Sequence, residues 1–199
     1  DCIRVLRALV QLGGTARTNE TALRELGARL SDGMADISSA DMADLADNLA
    51  DVSMSVVPVF ARLSAAFSLR ASGASAPQLT KVAVAFSRAR LADRRLFPRL
   101  AQSALKQIHV FSQPDLPAFL AAFATVGLCH EPLLTASARV IASRGPRLSA
   151  LDLSLVVRLA ELAVSCASTF ARGIELEGLS NPLFGLALRN MLRTTSQLR

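Results

Sequence analysis

The chain has 199 residues, of which 51 % are apolar and 19 % charged, a balance that permits a hydrophobic core and excludes disorder by composition. The formal net charge is +6, yet residues 1–55 hold nine acids and five arginines, whereas residues 56–199 hold seventeen bases and seven acids. The longest run without a formally charged residue, 116–130, has 15 residues. A membrane-spanning helix needs about 18–20, so no membrane span is predicted.

Helix start signals recur along the chain at intervals of 37 residues. A serine opens each of four amphipathic stretches, with Asp or Gln three residues later: Ser38, Ser75, Ser112 and Ser149. A serine N-cap accepts a hydrogen bond from the first helical turn, and the polar residue three places on can bond back to the cap. Apolar residues at offsets +4, +7, +8, +11 and +14 follow each serine and share one helix face. We designate each predicted helix B.

A second helix, A, precedes each B helix, and its apolar rows keep the same period. One row is Leu23, Phe60, Phe97 and Leu134. In chain order, the pattern gives a partial repeat (1–19), repeats at 20–56, 57–93, 94–130 and 131–168, and a degenerate C-terminal cap (169–199). The predicted fold is all-α: a single domain built as an α-solenoid of antiparallel helix pairs with a 37-residue repeat.

Three cysteines do not form a disulfide framework. Cys129 and Cys166 are 37 residues apart, which predicts equivalent places in neighbouring repeats. Packed helices lie about 8–10 Å apart, whereas a disulfide needs Cα atoms within about 7 Å. Reduced, buried cysteines are therefore predicted.

Residues 96–134, LFPRLAQSALKQIHVFSQPDLPAFLAAFATVGLCHEPLL, combine the two helices with a B helix of the form S-x-x-D-L-x-x-F-L-x-A-F-A-x-x-G. This segment resembles the heptatricopeptide repeat family, which is related to octotricopeptide repeats and to the helical regions of FAST-kinase-like and RAP-domain proteins. The resemblance implies an organellar RNA-binding solenoid, usually mitochondrial, that serves transcript processing or stability or is built into the mitochondrial ribosome. The RAP domain that often closes family members is not visible in this sequence.

Arginines are dense in SRARLADRRLFPRL, across the end of one B helix, a turn and the start of the next A helix. Cations there could bind phosphates, which supply most of the sequence-independent affinity for nucleic acid. The alternative is a set of solvated arginines favoured near a helix C-terminus.

Two polar rows also recur on the A helices: Arg62 with Arg99, and Arg70 with Gln107 and Arg144. Such rows are typical of a protein that reads one base per repeat. They are also typical of a solvent-facing surface, and this second interpretation is favoured. The predicted RNA-binding residues are Arg62, Arg88, Arg90, Arg94, Arg95, Arg99, Lys106 and Arg144. The acids Asp36, Asp41, Asp44, Asp47 and Asp51 are predicted to face a basic protein or solvent.

No catalytic grouping is evident. Cys129, His130 and Glu131 lack a second ligand pair for a metal site, His109 is the only other histidine, and no P-loop occurs. The sequence therefore predicts a non-enzymatic RNA-binding helical-repeat protein without cofactor or metal, and the resemblance places it in mitochondria. Its predicted partners are organellar rRNA or a transcript and other proteins of a ribonucleoprotein such as the mitochondrial ribosome. The alternative is an armadillo-like or HEAT-like protein scaffold that does not contact RNA.

Overall fold

A computed structural model describes residues 37–50, 57–143 and 157–158 of the chain, and these residues contain helices and no strand. Six α-helices are described in full: α1 (Ser39–Leu49), α2 (Val57–Arg70), α3 (Ala76–Arg88), α4 (Leu96–Lys106), α5 (Asp115–Val126) and α6 (Glu131–Ser143). Short 3₁₀ helices at Ala71–Gly73 and Ile108–Val110 follow α2 and α4. The all-α class is therefore confirmed. The predicted partial repeat 1–19, the start at Ser149 and the cap 169–199 lie outside the described residues.

A serine bonds at the start of each odd-numbered helix, as the N-cap of α1 and α3 and three residues before α5. The Ser38 hydroxyl accepts a hydrogen bond from the Asp41 backbone N–H (3.1 Å) and donates one to the Asp41 carboxylate (2.7 Å). Before α5, Ser112 repeats this arrangement with Asp115, at 3.2 and 2.6 Å. Ser75 is the N-cap of α3, and its backbone N–H donates to the Gln78 side chain at 3.0 Å. The helix starts predicted at or near these three serines are confirmed.

Helices α3 and α5 end with the same hydrogen-bond pattern. The Leu91 backbone N–H donates to the Phe86 carbonyl at 2.9 Å, and the equivalent bond, 3.1 Å long, closes α5. The preceding residue in each case has a left-handed backbone, with φ of +56° at Arg90 and +67° at Gly127. Glycine commonly occupies this position because it has no Cβ, so the arginine is the unusual choice.

The helices lie in two layers, with α1, α3 and α5 side by side in one and α2, α4 and α6 in the other. Edge-to-face phenylalanine pairs connect the layers. Phe60 of α2 packs on Phe86 of α3, and Phe97 of α4 packs on Phe123 of α5, each pair with ring centroids 4.9 Å apart. All four rings are buried, so the hydrophobic core lies between the layers.

Side chains at the ends of α2 and α4 bond to the backbone just before a helix of the other layer. The Arg70 guanidinium donates to the Ile37 carbonyl, next to the cap of α1. Gln107 Nε2 donates to the Ala74 carbonyl, next to the cap of α3, at 2.8 Å. These two members of the predicted polar row therefore join helices within the protein, which neither interpretation of the row anticipated. The third member, Arg144, lies outside the described residues.

Cys129 is disulfide-bonded, and its partner lies outside the described residues. The predicted reduced state is therefore wrong for this cysteine. The prediction relied on the distance between packed helices, but Cys129 lies in the loop between α5 and α6, where that distance does not apply.

Within the described ranges, none of the helices has the length and apolar character required to cross a bilayer.

Candidate nucleic-acid interface

An open groove of about 990 Å³ lies between α2 and α4. The α2 wall consists mainly of small side chains: Ala61, Ser64, Ala65 and Ser68. The opposite wall, from α4 and the loop before it, carries long polar side chains: Arg94, Arg95, Arg99, Gln102 and Lys106. The small α2 side chains thus leave an open space, and the cations of the opposite wall border it. We call this feature the cationic groove.

The amphipathic pattern of α4 accounts for the position of these cations. Leu96, Phe97 and Leu100 are fully buried and fix which face of α4 points to the core. Arg99 and Lys106 are exposed and seven residues apart, so they lie on the same side of the helix, away from the core. With a rise of about 1.5 Å per residue, the row from Arg95 to Lys106 extends over roughly 16 Å along the helix.

Asp93 caps the N-terminus of α4 and also lines the groove. Its Oδ1 accepts hydrogen bonds from the backbone N–H groups of Arg95 (2.8 Å) and Leu96 (3.0 Å). Burial raises the pKa of Asp93, but the Ser64 hydrogen bond, the two N–H donors and the Arg95 charge together lower that pKa below its ordinary value. An ionised carboxylate therefore occupies the helix N-terminus at neutral pH.

His130 has the corresponding place before α6, 37 residues after Asp93. Its Nδ1 accepts a hydrogen bond from the Leu133 backbone N–H at 3.3 Å, and burial lowers the pKa of the imidazole. His130 thus acts as a helix cap in its neutral form. In the described part of the chain, no group of three His, Cys, Asp or Glu side chains is placed to hold a metal ion.

The structure separates the eight predicted RNA-binding residues into groups. Four line the cationic groove, and all four are exposed: Arg94, Arg95, Arg99 and Lys106. Arg62 on α2 and Arg90 after α3 are exposed but are not part of the groove lining. Arg144 lies outside the described residues. The groove therefore brings together half of the predicted set.

Arg88 lies in the other layer, where α1 and α3 are joined by ion pairs. Its guanidinium is 2.8 Å from the Asp47 carboxylate, and the Lys81 ammonium is 2.7 Å from Asp44. Two acids predicted to face a basic partner or solvent thus pair with bases of the same chain. Exposed pairs contribute little stability, but they neutralise this surface. Within the described ranges, Arg94, Arg99 and Lys106 make no such pair.

Sequence reasoning did not single out Asp93 or Ser64 as residues of the site. Asp93 could have been found, because an aspartate directly before an apolar run is a helix start signal. Ser64 gives no such signal, since it is a buried helix residue, 4 % exposed, whose contact with Asp93 depends on how α2 and α4 pack.

No known family model matches the chain, and no curated protein matches it significantly.

Proposed function

We propose that this chain is a non-enzymatic RNA-binding protein of mitochondria, built as an α-solenoid of 37-residue repeats and working within a ribonucleoprotein such as the mitochondrial ribosome. The cationic groove is the observation that carries the RNA contact. The compartment and the type of assembly rest on the resemblance of residues 96–134 to heptatricopeptide repeats.

Contacts that recur at a 37-residue interval support the repeat. The pair Phe60–Phe86 has its counterpart in Phe97–Phe123, with the same 4.9 Å separation and nearly perpendicular rings. The bond from Arg70 to the Ile37 carbonyl likewise has a counterpart 37 residues later, from Gln107. The phenylalanine pair thus recurs within two proposed units, and the bond from side chain to backbone recurs between neighbouring units, which supports a solenoid.

The charge of the groove supports a polyanionic ligand. Three arginines and one lysine line it, whereas its single described carboxylate, Asp93, is already bound by Ser64 and by the backbone of α4. Guanidinium groups bind phosphate in a forked geometry, and counterion release makes such contacts the main source of sequence-independent affinity for nucleic acid. RNA phosphates are the ligand that fits the proposed family.

A protein scaffold is the second candidate, and one observation favours it. Leu69 also lines the groove and is 86 % exposed. An exposed leucine offers nothing to a phosphate, but it could pack against an apolar side chain of a protein partner. On this alternative, the arginines would bind acidic groups of that partner.

Two triple variants of the full chain separate these functions. The first replaces Arg94, Arg95 and Arg99 by alanine. The second, a matched control, carries R62A, R88A and R90G; glycine is used at position 90 because that residue has a φ of +56°. Both variants lose three positive charges, so a difference between them isolates the groove from the overall charge.

Binding of a single-stranded RNA is measured by fluorescence anisotropy over a range of salt concentrations. We expect the groove variant to weaken binding of all sequences alike and to flatten the salt dependence by about 0.7 in logarithmic slope per lost phosphate contact. The control variant should retain nearly the wild-type slope. Equal affinity and slope in all three proteins would contradict the groove as the site. No RNA binding by the wild type at low salt would favour the scaffold.

A further inference from the structure

The phenylalanine side chains of this chain are unavailable for stacking on bases wherever the structure describes them. The sequence has no tyrosine or tryptophan and nine phenylalanines. Seven of these are described, and each is at most 6 % exposed: Phe60, Phe67, Phe86, Phe97, Phe111, Phe119 and Phe123. Proteins that hold single strands through their bases usually stack them on exposed aromatic rings. The groove lining includes no aromatic side chain, and the exposed imidazole of His109 is not part of that lining.

Apart from its arginines, whose guanidinium groups bind phosphates and can also contact guanine, the groove has little that could read bases. Small aliphatic and hydroxyl side chains form the α2 wall, and cations dominate the α4 wall. Gln102 supplies one amide, which could contact a single base but not a row of them. The groove therefore has the chemistry of a backbone-binding surface.

Asp93 also determines where phosphates can bind along the groove. A free helix N-terminus attracts phosphate through its backbone N–H groups, but at α4 the Asp93 carboxylate already accepts two of these donors. A phosphate at that end would also meet a like charge. The donors that remain for phosphates are the side chains that line the groove: Arg94, Arg95, Arg99 and Lys106.

We infer that the cationic groove binds the sugar-phosphate backbone of a single strand along α4, without stacking or reading its bases. The inference rests on the proposed RNA-binding function and specifies its ligand class. The groove cations form one row along α4 and the turn before it, facing a wall of small side chains, so they line one phosphate backbone rather than the two of a duplex. Binding is consequently independent of sequence and confined to unpaired RNA.

The test compares four ligands on the full wild-type chain at low salt: U12, A12, an abasic ribose-phosphate 12-mer and a 12-base-pair RNA duplex. We expect U12, A12 and the abasic strand to bind within about threefold of one another with the same salt slope. The duplex should bind at least about tenfold more weakly. Stacking contributes about 1–3 kcal/mol per base, so a stacking site would lose well over tenfold with the abasic strand.

A loss of tenfold or more with the abasic strand, or a preference for A12 over U12 of that size, would overturn backbone-only recognition. Equal or tighter binding of the duplex would overturn the single-strand assignment. Absence of binding by every ligand is a different outcome, because it would overturn the proposed RNA-binding function itself.

The D93N variant adds an independent readout. Asparagine keeps an oxygen that can cap α4, but it removes the negative charge from the groove. We expect tighter binding of U12 and the abasic strand by a similar factor, with an unchanged salt slope because no phosphate contact is added. Unchanged affinity for both strands would contradict a phosphate path beside Asp93.

Discussion

Arg90 and Gly127 show how one backbone conformation accommodates different residues. Both follow a helix and have positive φ, +56° and +67°. Gly127 adopts this conformation freely, whereas a side chain with a Cβ is disfavoured there by roughly 1–2 kcal/mol. The sequence gives no indication of the backbone strain at Arg90, because the positive φ arises only from the turn that the chain makes after α3.

His130 leads to a pH-dependent prediction at the residue scale. Because burial lowers its pKa in the fold, the neutral form is favoured, and Nδ1 can accept the Leu133 N–H. The resulting stability is fully present above the ordinary pKa of 6.5 and is lost as the pH falls from there through the lower folded value. We expect the free energy of unfolding by urea to fall over this window.

The matched variants for this prediction are His130→Asn and His109→Gln. Asparagine can cap a helix without titrating, so H130N should show a flatter pH dependence below 6.5. His109 is exposed in the 3₁₀ helix after α4, and H109Q should retain the wild-type profile. The same pH slope in H130N and wild type would rule out His130 as the titrating cap.

At the element scale, the cap of α5 can be tested directly. Ser112 accepts the Asp115 N–H at 3.2 Å and donates to its carboxylate at 2.6 Å. Ser112→Ala removes both bonds, and we expect it to cost about 0.5–2 kcal/mol in the free energy of unfolding. Gln113→Ala, at an exposed neighbouring position, should change it by no more than about 0.5 kcal/mol. Equal losses in the two variants would contradict the cap.

The helices were predictable because their signals are local. A serine with Asp or Gln three residues later, followed by an apolar stripe, is sufficient to place the starts of α1, α3 and α5. The bond from Gln107 to the Ala74 carbonyl was not predictable, because it joins residues that are brought together only by packing. The disulfide at Cys129 was missed because the prediction applied the distance between packed helices to a residue that lies in a loop.

The groove was predictable in part for the same reason. Arg94 and Arg95 lie in the turn directly before α4, and Arg99 and Lys106 lie on one side of that helix, so local sequence alone predicts a cluster of cations there. The opposing wall of small α2 residues and the hydrogen bond from Ser64 to Asp93 require the tertiary packing of two helices.

At the scale of the whole molecule, the two described helix layers differ in how far their charged side chains are neutralised by ion pairs. Between α1 and α3, Asp44 pairs with Lys81 and Asp47 with Arg88. Between α2 and α4, cations border an open groove. In the described part of the chain, an exposed row of cations thus borders the groove at which RNA is proposed to bind.

Arginine modification by phenylglyoxal, mapped by mass spectrometry with and without bound U12, tests whether RNA contacts the cationic groove. It is carried out on the wild-type chain, and Arg88 in the other layer serves as the internal control. We predict that RNA protects Arg94, Arg95 and Arg99 while Arg88 reacts as before. Unchanged reactivity of the three groove arginines under conditions where U12 is bound, or protection confined to Arg88, would contradict the account.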